Sequence, residues 1–188
     1  MANETKENTN PRTIDELLKS KLVQLIALTT TVFAVIAAIS SAVNTNVTTE
    51  SGVLTEKQNN GWSYYQAKSI KGYLYQLQAD ILALEDIKAE SKEAKAEIAK
   101  LMAPVKQKLT TYESEKDAIK ADIEKMDVRI KVLEKRSSNF GTGLLNFEIA
   151  IVLVSVGAIF SMTALWLLGL GLGLVGAAYI VNGYLAFF

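Results

Sequence analysis

The stretch "FEIAIVLVSVGAIFSMTALWLLGLGLGLVGAAYIVNGYLAFF", Phe147–Phe188, contains a single charged side chain, Glu148. As one helix it would run about 60 Å, twice the roughly 30 Å of a bilayer's hydrocarbon core. It therefore predicts two crossing helices, 144–164 and 167–188, joined by a tight reversal around Thr163–Gly171. Trp166 would then sit at the interface. The second of these helices would end at the C-terminal carboxylate, which must reach headgroups or water. Glu148 falls near the start of its span, where a carboxylate is ordinarily solvated; deeper, it would mark an ion or proton site. Asn182 is placed to bridge helices.

Working outward, a third apolar run, "LVQLIALTTTVFAVIAAISSAV" (22–43), has the length of a crossing helix and no charge. A signal peptide is the rival reading, with Ser40 and Ala42 as small residues near a cleavage site. The run is longer than the ~7–15 residues of a signal peptide's apolar core, which favours a retained span. A polar tail, 1–21, precedes it. The fold class expected is all-α: three transmembrane helices with a long antiparallel helical (coiled-coil) hairpin inserted between spans 1 and 2.

Charge is segregated between these blocks. The chain carries 20 basic and 20 acidic residues, a balance that gives no reason to expect a nucleic-acid partner. It has no Cys and no His, so thiolate nucleophiles, imidazole bases and the usual zinc or copper ligand sets are out of reach. No phosphate-binding loop or calcium loop is recognisable. The expectation is a non-enzymatic protein with no cofactor and no metal.

Residues 44–143 form the expected soluble domain. Asn44–Asn60, "NTNVTTESGVLTEKQNN", reads as a linker, with a break near "NNG". Beyond it, Ile70, Leu74, Leu77, Ile81 and Leu84 follow a four-three spacing. Tyr112, Ile119, Ile123, Met126, Ile130 and Leu133 repeat it, and both sets read as heptad seams. Because both ends of this domain join membrane spans, two antiparallel arms are required, with a reversal within 88–104. Ser91 offers an N-cap there, and Pro104 disfavours an uninterrupted helix. The seam weakens near the tip, at Ser91 and Ala94, so a protein partner at the hairpin tip is expected.

Two features point to helix–helix contact. Gly169 and Gly173, extended by Ala177, let backbones approach closely in lipid; the neighbour is either another copy or this chain's own spans. The aromatic stretch "WSYYQAKSIKGYLYQLQ" (62–78) places Trp62, Tyr64, Tyr65, Tyr73 and Tyr75 beside the seam. Its rings suit either the hairpin core or a subunit interface, with a ligand site a third reading. The interface candidates are therefore Trp62, Tyr64, Tyr65, Ile70, Tyr73, Leu74, Leu77, Gly169, Gly173 and Ala177.

The same stretch, between the "LIALTTTVFAVIAAIS" span and two closing spans, resembles an uncharacterised bacterial membrane-protein family with the pattern W-x-Y-Y-Q-A-K-S-I-K, known only as a domain of unknown function. The resemblance covers the chain from about residue 20 onward. It implies a small three-span inner-membrane protein and no assigned activity. Members often carry basic residues in the turn between the last two spans, whereas "TALWLLGLG" here has none. Arg12, Lys19 and Lys21 ahead of the first span place the tail in the cytoplasm and the hairpin in the periplasm; "KVLEKR" (131–136) argues the other way.

The function expected is a homo-oligomeric scaffold in the lipid bilayer. The alternatives are an oligomeric pore, with Thr29, Thr30, Thr31, Ser40 and Ser41 as lining, or an accessory subunit of another membrane complex.

Overall fold

The computed structural model describes Pro11–Leu185, with side chains from Ser20 onward. Residues 1–10 of the polar tail and the end of the last span, with its terminal carboxylate, lie outside the described residues. Three helices follow in order: α1 (Pro11–Lys88), α2 (Lys92–Phe160) and α3 (Thr163–Leu185). Each contains a stretch long and apolar enough to cross a membrane. The chain divides into two compact units. One comprises the chain up to Thr49 together with Val132 onward; the other is Glu50–Lys131.

In the first unit, parts of all three helices pack together. Phe140, Phe147, Leu133 and Val154 are its most completely buried large side chains. Phe147 meets Phe33 of α1 edge-on at 5.2 Å between centroids. The Arg136 guanidinium donates to the Gly183 carbonyl near the end of α3 at 3.0 Å. Trp166 donates from Nε1 to Thr29 Oγ1 at 3.4 Å.

The reversal between α2 and α3 lies at Ser161–Met162, ahead of the Thr163–Gly171 stretch the hydropathy pointed to. Its geometry explains why. Ser161 takes φ = 52°, its N–H donates to Ala158 O at 3.3 Å, and Met162 N–H donates to Gly157 O at 2.9 Å. These two bonds make a Schellman closure, with a serine in the left-handed position usually held by glycine. Farther on, Gly169, Gly173, Gly176 and Gly183 are used for packing, and none of them has positive φ.

Asn44–Asn60 is also not a linker: α1 runs through it without a break. Local bonding removes the cost of its threonines. Thr45, Thr48, Thr49 and Thr55 each donate to the carbonyl four residues back, at 2.8–3.0 Å, so the hydroxyls do not compete for another backbone geometry. Packing adds to this. Val47 is 6% exposed, and Ser137 Oγ of α2 lies 3.0 Å from Asn44 Oδ1 and 3.1 Å from Thr48 Oγ1.

In the second unit, α1 and α2 lie antiparallel. Contacts pair Glu50 with Arg129, Gln58 with Asp127, Lys68 with Glu115 and Tyr75 with Tyr112. Farther along, Ala79, Leu82 and Val105 form a buried cluster flanked by Tyr75, Ile98 and Met102. The chain turns over Ala89–Ser91, where Ser91 Oγ accepts the Ala94 N–H at 3.1 Å as an N-cap. Pro104 does not interrupt α2. It sits on the exposed side beside buried Val105, so the carbonyl it leaves unbonded faces solvent.

Candidate functional site

Within the second unit, α1 carries two heptad faces, and the one turned to α2 is not the aliphatic one. Gly61, Tyr65, Lys68, Gly72, Tyr75, Ala79 and Leu82 recur at four-three spacing and are the buried or half-buried positions of this stretch. The face of Ile70, Leu74, Leu77, Ile81 and Leu84 is left out, at 61, 61, 57, 49 and 57% exposure. The expected seam of the first arm is thus corrected, while Ile119, Ile123, Met126, Ile130 and Leu133 on α2 do lie inward.

The physical reason is closeness. A methyl group on Gly61 would lie 3.0 Å from Ile123 Cγ1, so α1 presents small residues where α2 presents large ones. Large aliphatics in heptad register mark a face that packs, but not which partner it packs on. The overlooked signal was the recurrence of Gly61, Gly72 and Ala79 in that same register.

The aromatic stretch resolves into an ion-and-ring cluster. The Lys68 ammonium is 2.5 Å from Glu115 Oε2 and lies over the rings of Tyr64 and Tyr112, at 5.3 and 5.2 Å from their centroids. Its hydrogen bond to Glu115, and then Tyr64, hold its pKa above the usual lysine value against the opposing effect of desolvation. Lys116 repeats the pattern, bonded to Glu113 at 2.9 Å and lying 5.8 Å from the Tyr65 ring; its pKa is raised chiefly by Glu113. Trp62 packs edge-on against Tyr65 at 5.7 Å. Tyr65 and Tyr75 therefore belong to the helix pair. Trp62, Tyr64 and Tyr73 keep 43, 55 and 75% of their surface, and Tyr73 borders the outward aliphatic face.

A groove of about 480 Å³ along α2 is lined by Gln107, Thr110, Thr111, Ser114 and Glu115. The groove beside the Ala89–Ser91 turn, about 420 Å³, is lined by Ala83, Asp86, Ile87, Ile98, Ala99, Met102 and Lys106. Among the described residues no group of three His, Cys, Asp or Glu is placed to hold a metal.

In the first unit, Gly169, Gly173, Gly176 and Gly183 of α3 face this chain's own helices, while Gly171 faces outward. A methyl group on Gly169 would lie 3.0 Å from Ala150 O, one on Gly176 would lie 2.9 Å from Gly143 O, and one on Gly173 would collide with the Phe33 ring. Ala177 is half-buried. Asn182 is buried, at 2% exposure. The hydroxyls of Thr29, Thr30 and Thr31 donate to Leu25, Ile26 and Ala27 carbonyls at 2.8–2.9 Å, and Ser40 is 2% exposed. Thr31 remains exposed and Thr29 half-buried. Glu148 is on the outer side of α2.

The match to a family model spans residues 22–186, which takes in both units. The chain belongs to the DUF4337 family. DUF4337 is a domain of unknown function. No curated protein and no solved structure matches the chain.

Proposed function

We propose that this DUF4337 protein is a non-enzymatic, multi-pass membrane scaffold that assembles with copies of itself through coiled-coil hairpins. The observation that carries the reading is the outward face of Ile70, Leu74, Leu77, Ile81 and Leu84. It keeps a heptad register while turned away from α2, the helix paired with it among the described residues. A contiguous aliphatic stripe of this kind, in a stretch otherwise rich in charge, wants a further helix against it. A second copy fits best. Copies inserted in one bilayer with one topology present the same residue at the same height, so a symmetry axis along the membrane normal brings the stripe onto itself in register. The basic residues ahead of the first span favour a cytoplasmic amino terminus and a periplasmic hairpin in the inner membrane.

The test is the mass of the protein in lipid nanodiscs or mild detergent, by light scattering. The wild type should be an oligomer, and the double substitution Leu74→Asp with Leu77→Asp should be a helical monomer. A monomeric wild type would refute the proposal.

A further inference from the structure

Glu148 lies midway between Arg136 and the end of α2, beside the level at which three helices pack. It lies twelve positions from Phe160, where α2 ends, and twelve from Arg136, the nearest charge before it. That is about 18 Å from either level along a helix, with an intervening thickness close to that of a hydrocarbon core. Packing gives the same level. Its neighbour Phe147 meets Phe33, which also abuts Gly173. These are mid-points of the apolar run 22–43 and of α3.

The side chain points out of the bundle. Glu148 is exposed, as are Leu145, Ile149 and Val152 around it, at 60, 51 and 61%. No described residue gives it a hydrogen bond or ion pair. The sequence removes the obvious remedy too. No Lys or Arg lies between Arg136 and Phe188 or between Lys21 and Glu50, so these apolar stretches bring no cationic side chain to that level, in this chain or in another copy. A carboxylate there, facing lipid, is costly and marks a functional pathway by default. Its counter-charge must arrive through water.

We infer that Glu148 lines an aqueous path between copies and binds a mobile cation at mid-membrane. The inference rests on the assembly proposed above. Symmetry then places one Glu148 per copy at the same depth, a carboxylate ring of the kind that selects cations, with the flanking Leu145 and Val152 as an apolar constriction.

The absence of cysteine makes single thiols clean reporters. E148C, V152C and, as a lipid-facing control on α3, L174C are reacted in proteoliposomes with a water-soluble trimethylammonium methanethiosulfonate. Cysteines at 148 and 152 should react much faster than the one at 174. Liposomes holding the wild type should pass K⁺ in preference to Cl⁻, and E148Q should lose that preference. Light scattering on the same samples separates the failures. A monomer would remove the assembly and this inference together. An oligomer with 148 and 152 as unreactive as 174 and no K⁺ flux would overturn this inference alone.

Discussion

The ring of Phe33 on α1 occupies the space that a side chain at Gly173 on α3 would need, while its other contact is the Phe147 ring of α2. One aromatic side chain thus meets both other helices at one level, and the missing Cβ of Gly173 is what lets it. Gly173→Ala should destabilise the first unit by about 1–3 kcal/mol, since a packed ring cannot retreat. Phe33→Leu in the same chain should recover part of that loss. Unfolding of the single and double variants in detergent, analysed as a cycle, measures the coupling; additive losses would show that the contact is not limiting.

Ser161 holds the turn between α2 and α3 at φ = 52°. A β-branched residue there meets its own backbone, so Ser161→Val should cost about 1–2 kcal/mol. Ser161→Gly should match or exceed wild-type stability because the strain is relieved. Thermal unfolding of the three proteins checks the order; Val at or above Gly would contradict it.

Leu77 and Leu82 are five residues apart on α1 but face opposite ways, 57 and 8% exposed. Leu82→Ala should cost the fold about 2–5 kcal/mol, as a core truncation. Leu77→Ala should leave the isolated chain within about 0.5 kcal/mol of wild type and weaken self-association instead. Denaturant unfolding of dilute monomer, paired with mass measurement at higher concentration, separates the two.

Two ion pairs set opposite pH limits on the second unit. The folded-state pKa of Lys68 is raised, first by Glu115. Its contribution is therefore full below the ordinary lysine value of 10.5 and disappears as pH climbs through the raised value. That of Asp127 is lowered, first by the Lys131 hydrogen bond. Its contribution is present above 3.8 and is lost as pH falls through the lowered value. Helix content against pH should show the alkaline loss flattened in Lys68→Met and the acid loss flattened in Asp127→Asn. An unchanged alkaline limb in Lys68→Met would rule out its ion pair as the cause.

Much of this architecture is written in local chemistry. An apolar run with a single charge, too long for one crossing, has to double back, and that holds for Phe147–Phe188 whatever its neighbours. The absence of Cys and His removes whole classes of chemistry before any folding. Helical character from Ile70 onward follows from spacing and from residues with good helix propensity.

Tertiary structure decided which faces meet. Periodicity reports that a face is apolar, but not what lies across from it. Gly61, Gly72 and Ala79 won the contact with α2 because two helices approach most closely where side chains are small, and the larger aliphatics were left outward. Asn44–Asn60 became helix because hydroxyls bonded to their own carbonyls and Ser137 met Asn44. The turn lies at Ser161, closed by the Met162 N–H to Gly157 O bond, while Gly169, Gly173 and Gly176 after it pack against α1 and α2. Phe33, Phe147 and Gly173 set a level at which three helices pack, a relation between distant residues that no local pattern contains.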